Sequence, residues 1–265
     1  MDILETITAH KRIEVAHQKE AVPLDLLISL GSQRLNRPTS SMRQALGQSP
    51  SGIIAEFKRR SPSKGWLFPQ AKVEDIVPAY ERDGAAACSI LTDSEFFGGS
   101  FSDLQCARLL VRLPLLRKDF IIDEYQLYQS RVLGADAILL IAASLTKDAC
   151  KNLARVAHQL ALEVLLEVHT ESELSHLNEY IDMLGVNNRN LGTFHTDVDN
   201  SFRMIECIKK EVGTADDTPL FISESGITDA EVLKNLRAAG FRGFLIGESL
   251  MKEALPLGGR GDINH

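Results

Sequence analysis

The sequence has few cysteines, no long apolar run and no excess of positive charge. The four cysteines lie far apart without a CxxC pair, which is typical of reduced thiols in a cytoplasmic protein. No apolar run approaches the length of a membrane span, and the first segment, MDILETITAHKRIEVAHQKE, is too charged for a secretory signal. The formal net charge of -7 argues against broad nucleic-acid binding. We therefore expect a cytoplasmic protein that binds neither membrane nor nucleic acid.

What the sequence does contain is a regular alternation of strand-like and helix-like segments. The chain has 265 residues, a normal length for one α/β barrel. The strand-like runs are GIIAEFKRR, AACSILTD, LPLLRKDF, ADAILLIAA, EVLLEVH, MLGVNNR, PLFISES and GFLIGES. Amphipathic helical patterns separate them, ESELSHLNEY among these. The alternation predicts a (β/α)8 TIM barrel. A doubly wound open sheet is the alternative, but RRSPSKG after the first strand contains no GxGxxG.

The segment before the first strand has a different character. ILETITAHKRIEVAHQKEAV and PLDLLISLGSQ have apolar residues at helical spacing, and NRPTSSMRQALG is expected to be a polar connection. We predict an N-terminal helical extension over residues 1–50, packed on a catalytic barrel over 51–255. Residues 256–265 are predicted to be a C-terminal tail.

Polar residues occur on the strand faces that should point into the barrel. In the first strand Ile53, Ala55 and Phe57 share one face, and Glu56 and Lys58 share the other. The apolar face must meet the helices, so the charged pair should point inward. The same parity adds polar residues at the ends of four further strands: Lys118, Glu167, Asn187, Arg189 and Glu224. Barrel enzymes keep their active sites at this end.

Two lysines and three glutamates facing one cavity suit proton transfer. Neighbouring ammonium groups should lower a lysine's pKa, and burial should raise a glutamate's pKa. Ordinary structural ion pairs are the alternative, but buried polar groups from five strands are costly unless they pair or serve a substrate. His169 is the only histidine at a strand end, so we expect no metal site.

A second group of residues is typical of a phosphate site. The last two strands run into SESGI and IGESL, where Gly226 and Gly247 allow close backbone approach. The RRSPSKG loop adds hydroxyl and ammonium groups, and closure of a barrel places strand one beside strand eight. A plain turn and a plain helix start are the alternative reading of these loops. Taken together, the RRSPSKG loop and the two glycine turns indicate an anionic substrate.

Several of these segments resemble the indole-3-glycerol phosphate synthase family. IIAEFKRRSPSKG resembles the family signature E-x-K-x-x-S-P-S at the first strand. Further blocks follow in the family's order: LLRKDFIID, GADAILLIAA, LLEVHTESEL, GVNNRNL, ISESGI and FLIGESLM. The resemblance covers residues 1–255. It implies a lyase of tryptophan biosynthesis that uses no cofactor. That enzyme converts 1-(2-carboxyphenylamino)-1-deoxyribulose 5-phosphate to indole-3-glycerol phosphate, with loss of CO2 and water.

The resemblance also implies roles for individual residues. Lys118 would be the acid on the sugar carbonyl, and Glu167 the base in dehydration. Lys58 would hold the substrate carboxylate or donate a later proton. Glu56 and Asn187 would orient these groups, and Glu224 with Ser225 would line the site. Substrate or phosphate contacts are expected from Ser61, Lys64, Arg189, Ser225, Gly226, Gly247, Glu248 and Ser249. Phe96, Phe97 and Phe120 are expected to form an apolar wall, with core packing as the alternative.

Three other functions fit parts of the pattern. Phosphoribosylanthranilate isomerase would need a catalytic Cys/Asp pair at strand ends, whereas Cys88 lies within the second strand. A Schiff-base aldolase could use Lys118, and a barrel could also bind a sugar phosphate without catalysis. For the synthase we expect a small-molecule substrate and a monomeric chain.

Overall fold

The fold is built around a closed barrel of parallel strands. The computed structural model describes residues 3–190, 192–212 and 218–254. The strands are β1 Ile53–Phe57, β2 Ala87–Leu91, β3 Leu115–Lys118, β4 Ala137–Ile141, β5 Glu163–Val168, β6 Met183–Asn187, β7 Leu220–Glu224 and β8 Gly243–Ile246. Each strand pairs with the next, and β8 closes the barrel on β1, with Ile53 opposite Phe244. The predicted (β/α)8 fold is confirmed, and the open sheet is excluded.

Helices surround the barrel and precede it. They are α1 Ile3–Ala21, α2 Leu24–Leu35, α3 Met42–Gln48, α4 Val73–Arg82, α5 Phe101–Leu110, α6 Glu124–Leu133, α7 Lys147–Gln159, α8 Asp199–Val212, α9 Ala230–Ala239 and α10 Glu248–Ala254. None of the described helices is both long enough and apolar enough to cross a membrane.

Two local predictions were wrong. The helix expected over 171–180 is only a short 3-10 helix, Glu171–His176. Polar side chains in this segment form local hydrogen bonds to the backbone in place of a regular helix. The Ser175 hydroxyl, for example, donates to the Ser172 carbonyl. The expected polar connection over 36–47 contains most of α3. Ser41 caps this helix by accepting from the Gln44 N–H, and burial of its apolar residues stabilises it despite its shortness.

Strand parity separates two apolar layers. Ala55 and Phe57 pack between the strands and the helices, as predicted. Ile54 belongs to the layer inside the barrel. The other inward residues of that layer are Ala87, Leu116, Ala137, Leu139, Ile141, Leu165, Met183, Ile222 and Leu245. These apolar side chains fill most of the barrel interior, and Leu139, Ile141 and Leu245 extend as far as the mouth.

The helices before β1 cover both ends of the barrel. Leu4 and Ile7 of α1 join the inner apolar layer from the carboxyl end of the strands, and Met42 of α3 joins it from the opposite end. Lys11 of α1 is fully buried and forms ion pairs of 2.9 Å with both Asp93 and Asp119, which follow β2 and β3. The tail predicted over 256–265 lies outside the described residues.

Candidate active site

The carboxyl ends of the strands surround a pocket that is polar at its base. Its polar lining consists of Glu56, Lys58, Ser61, Ser63, Lys64, Lys118, Asp119, Glu167, Asn187, Arg189, Ser225 and Glu248. The structure therefore brings together most of the polar residues that strand parity selected. Asp119 is an addition, because it follows β3 and its position could not be read from parity alone.

Lys118 lies at the centre of the polar cluster. Its Nζ donates to Glu167 Oε2 at 3.1 Å and to Glu224 Oε2 at 2.7 Å. The residues come from β3, β5 and β7, so only closure of the barrel places them in contact. Glu224 is 1% exposed and is not part of the pocket lining. Glu224 therefore meets the pocket only through its contact with Lys118, and its expected place in the site remains a prediction.

The expected lowering of a lysine pKa is not found at Lys118. Burial alone would lower the pKa of Lys118, but the carboxylates of Glu224, Glu167 and Glu56 reverse this and raise it. Carboxylates outnumber ammonium groups around this nitrogen. Lys118 is consequently a charged proton donor in the substrate-free protein.

Glu167 and Glu224 have opposite electrostatic settings. Burial would raise the pKa of Glu167, but Lys118, His169 and the Asn187 amide lower it to about 2. Asn187 Nδ2 donates to Glu167 Oε1 at 3.1 Å. Burial raises the pKa of Glu224 to about 7 despite the attraction of Lys118. Burial acts in the expected direction on both glutamates, but only for Glu224 does it decide the net change in pKa.

Glu56 and Lys58 form a separate pair at the end of β1. Lys58 Nζ donates to Glu56 Oε1 at 2.6 Å. Burial would raise the pKa of Glu56, but Lys58 and Lys118 lower it. A Cβ at Gly247 would lie 2.7 Å from Glu56 Oε1, so this glycine leaves room for the carboxylate. That contact is a structural reason for Gly247 besides the phosphate contact expected from the sequence.

The loop after β1 folds over the mouth as a small hairpin that sequence patterns did not indicate. Arg60–Ser61 pairs antiparallel with Gly65–Trp66. At its tip, Ser63 Oγ accepts from Arg189 Nη1 at 3.1 Å, and Lys64 Nζ donates to Glu248 at 2.7 Å. The hairpin thus connects the ends of β6 and β8 across the pocket.

The residues expected to bind phosphate are only partly in the pocket. Ser61, Lys64, Arg189, Ser225 and Glu248 line it. Gly226, Gly247 and Ser249 are not among the lining residues. Ser225 and Gly226 have left-handed φ values of 68° and 76°. In this conformation Ser225 Oγ donates to Asn187 Oδ1 at 3.0 Å, so the turn after β7 supports the residue that holds Glu167.

The apolar wall differs from the expected one in one residue. Phe97 and Phe120 line the pocket, with ring centroids 5.9 Å apart. Phe96 does not line it and packs edge-on against His10 of α1 at 5.5 Å. The remaining apolar lining was not expected from the sequence: Ile3, Leu4, Ile7, Pro62, Leu67, Leu91, Leu139, Ile141, Phe194 and Leu245. Strand parity could have found Leu91, Leu139, Ile141 and Leu245, whereas nothing in the sequence marks the α1 residues.

Cys88 and His169 are the residues that the sequence offered as a possible nucleophile and a possible metal ligand. Cys88 is buried in the apolar layer between strands and helices, so it does not face the pocket as an isomerase nucleophile would. His169 lies with Nε2 3.5 Å from Glu167 Oε1. Across residues 3–190, 192–212 and 218–254, no group of three or more His, Cys, Asp or Glu side chains could hold a metal ion.

The fold and the site define a (β/α)8-barrel enzyme with acid and base groups at the carboxyl ends of its strands. The family model for indole-3-glycerol phosphate synthase matches residues 4–255. The chain belongs to the indole-3-glycerol phosphate synthase family.

Individual relatives agree with this assignment. The chain is 56% identical over 257 residues to an indole-3-glycerol phosphate synthase of Bacteroides thetaiotaomicron, covering 96% of this chain and 95% of that protein. It is 43% identical over 270 residues to one of Prochlorococcus marinus, covering 100% of this chain and 87% of that protein.

Solved structures with low sequence identity share the fold alone. An N-acetylmannosamine-6-phosphate 2-epimerase from Clostridium perfringens has a TM-score of 0.60 at 15% identity, covering 81% of this chain and 93% of that one. A mutant tryptophan synthase alpha-subunit from Pyrococcus furiosus has a TM-score of 0.59 at 12% identity, with the same two coverages, 81% and 93%.

Proposed function

We propose that this chain is a carboxy-lyase that catalyses the reaction for which its family is named. Its substrate is 1-(2-carboxyphenylamino)-1-deoxyribulose 5-phosphate, and its product is indole-3-glycerol phosphate, with release of CO2 and water. The observation that carries the proposal is the position of Lys118 Nζ, which faces the pocket within hydrogen-bond distance of Glu167 and of the buried Glu224. An acid and a base in contact are what a ring closure followed by a dehydration requires.

Ring closure uses Lys118 as the acid. The aromatic carbon that carries the carboxylate attacks the sugar carbonyl carbon, and the carbonyl oxygen takes a proton from Nζ. CO2 then leaves, and its bonding electrons return to the ring. The carboxylates around Lys118 raise its pKa and keep it protonated until this moment. A developing alkoxide is basic enough to take that proton.

Dehydration uses Glu167 as the base. The hydroxyl formed by ring closure leaves as water after gaining a proton, and Glu167 removes a proton from the substrate. The low pKa of Glu167 keeps it ionised, and Asn187 holds one of its oxygens. Because Glu167 and Lys118 are 3.1 Å apart, the proton can return directly to the lysine.

Lys58 and Glu56 serve the other side of the substrate. Lys58 is partly exposed to the pocket and is held at 2.6 Å by Glu56. This ammonium either binds the carboxylate that becomes CO2 or protonates the leaving hydroxyl. Phe97 and Phe120 form the apolar face on which the aromatic ring lies.

The substrate phosphate binds under the hairpin after β1. Arg189, Lys64 and the hydroxyls of Ser61 and Ser63 supply charge and donors there. Lys64 is paired with the Glu248 carboxylate in the absence of a ligand, and a phosphate would compete for the same ammonium. The backbones of Gly226, Gly247 and Ser249 remain predicted phosphate contacts, and Glu248 can contribute only through its backbone N–H because its carboxylate repels an anion.

A Schiff-base aldolase is less well supported by the same site. A nucleophilic lysine must be neutral, whereas the carboxylates raise the pKa of Lys118. Borohydride with a carbonyl substrate would trap a covalent adduct only if the aldolase were correct.

The proposal extends to the setting in which the enzyme works. We infer a monomer in the cytoplasm that needs no metal, cofactor or nucleic acid, with residues 1–50 as an extension packed on the barrel. The net charge of -7 and the four free cysteines support this setting. Sedimentation should give a mass near the 29.3 kDa of one chain, and dialysis against EDTA should leave activity unchanged.

A turnover assay tests the function directly. Incubation of the protein with the carboxyphenylamino substrate should produce indole absorbance and fluorescence together with one CO2 for each product molecule. The chain has a single tryptophan, so a protein-only control defines the background. Absence of product at enzyme concentrations equal to the substrate would contradict the proposed function.

A further inference from the structure

The Glu224 carboxylate lies inside the barrel without a full set of partners. Its Oε2 accepts from Lys118 at 2.7 Å. Its Oε1 is buried and accepts no hydrogen bond from any residue in the described part of the chain. Glu224 is the last residue of β7, and Lys118 is the last residue of β3, on the opposite side of the barrel. The carboxylate must therefore lean across the interior to reach the lysine.

The space for this carboxylate comes from a missing side chain on β6. A Cβ at Gly185 would lie 2.2 Å from Glu224 Oε1. Gly185 pairs with Glu167 on one side and with Ile222 on the other, so it lies between the strands that carry the two carboxylates. Its φ is not left-handed. The backbone would therefore accept alanine. The severe clash is with the carboxylate, whereas Leu165 Cδ1, 3.1 Å from such a Cβ, would need only a small shift.

We infer that Gly185 is a positioning residue, whose missing side chain lets Glu224 reach Lys118. This inference rests on the proposed function, in which Glu224 holds the acid. Any side chain at position 185 would push the carboxylate up into the pocket or back toward β7. Either movement lengthens its contact with Lys118 and changes the charge beside the acid. A misplacement of about 1 Å in a catalytic group can cost about 10²-fold in rate.

Gly185→Ala therefore should lower kcat by about 10²-fold and change KM little. Gly243→Ala is the matched control. A Cβ at Gly243 would lie 2.6 Å from Ile222 Cγ1, so it crowds a β7 side chain without touching a carboxylate. Both variants add one methyl group inside the barrel, and the control should keep its kcat. An unchanged kcat in Gly185→Ala, or an equal loss in both variants, would overturn the inference.

A double-mutant cycle separates positioning from general damage to the core. Glu224→Ala removes the carboxylate and leaves room for a methyl group at position 185. Adding Gly185→Ala to Glu224→Ala should then cost no more than about threefold in kcat, far less than in the wild type. A similar loss in both backgrounds would show that Gly185 acts independently of Glu224, and the inference would fail.

A crystal structure of Gly185→Ala separates this inference from the proposed function. Displacement of the Glu224 carboxylate from Lys118 supports the steric argument, even if the wild type does not convert the substrate. A carboxylate that stays in place rejects the inference, even if the wild type is fully active. The wild-type assay alone decides the proposed function.

Discussion

At the scale of single residues, the proposed chemistry depends most on Lys118. Lys118→Ala should lower kcat by about 10²- to 10⁴-fold, the usual cost of losing a general acid or base, with an unchanged circular dichroism spectrum. Lys151→Ala is a suitable control, because this lysine is exposed on α7 and pairs with Glu179. Near-normal kcat in a folded Lys118→Ala variant would move the acid role to Lys58.

Glu167→Gln tests the base at the same scale. The amide keeps the shape of the side chain and loses the ability to take a proton, so kcat should fall far more than KM rises. Steady-state kinetics with the carboxyphenylamino substrate measure both constants. A pure increase in KM would mean that Glu167 binds substrate without moving a proton. Glu179→Gln, on an exposed carboxylate, provides the control.

Glu224 should affect stability through its own titration. Burial raises its pKa to about 7 in the folded protein from an ordinary 4.5, despite Lys118. The stability that its proton contributes is complete below pH 4.5 and is lost as the pH rises through about 7. The free energy of unfolding should therefore fall over this range in the wild type.

Glu224→Gln should reduce that fall, because the amide does not titrate. Denaturant unfolding at several pH values measures how the free energy of unfolding changes with pH in the wild type and in Glu224→Gln. Burial would lower the pKa of His169, but Glu173 and Glu167 reverse this and raise it. Titration of His169 therefore also lowers the free energy of unfolding as the pH rises. Because His169 is present in both proteins, the difference between their pH dependences isolates the contribution of Glu224. Identical slopes in the two proteins would show that Glu224 titrates near its ordinary pKa.

At the scale of elements, α1 is attached to the barrel by a buried charge. Lys11 contacts Asp93 and Asp119 at 2.9 Å, and all three side chains are fully buried. Lys11→Met leaves the aspartates without this cation, a change that typically costs about 3–5 kcal/mol. Because Leu4 and Ile7 of the same helix line the pocket, KM should rise as well.

Denaturant unfolding and steady-state kinetics of Lys11→Met test this attachment. The control is Arg12→Met, which removes an exposed cation from the same helix and should change stability by less than about 0.5 kcal/mol. Equal stabilities of the two variants would show that the buried pairs do not hold α1 in place.

At the scale of the whole molecule, closure of the barrel brings the hairpin after β1 to the ends of β6 and β8. Arg189 Nη1 reaches Ser63 Oγ at 3.1 Å across this junction. Inorganic phosphate or sulfate should therefore inhibit competitively, and Arg189→Ala should weaken that inhibition together with substrate binding. An anion bound elsewhere, or inhibition unchanged in Arg189→Ala, would remove the basis for this phosphate site. Gly247→Val is less informative, because its side chain would also displace Glu56.

The sequence by itself determined the barrel and most of its mouth. Alternating apolar segments and the strand parity around Glu56 and Lys58 depend only on local geometry, since successive side chains of a strand point to opposite faces. The same parity selected Lys118, Glu167 and Asn187, and all of them line the pocket. Helix α3 was missed, because burial rather than local propensity stabilises so short a helix.

Only the tertiary structure decided how these groups interact. Parity cannot tell that Glu224 lies below Lys118, that Phe96 packs on α1, or that Ile7 enters the pocket, because each depends on contacts between distant segments. The pKa values of the site also depend on contacts between distant segments. Carboxylates from β1, β5 and β7 surround one lysine from β3, and their distances determine which group keeps its proton.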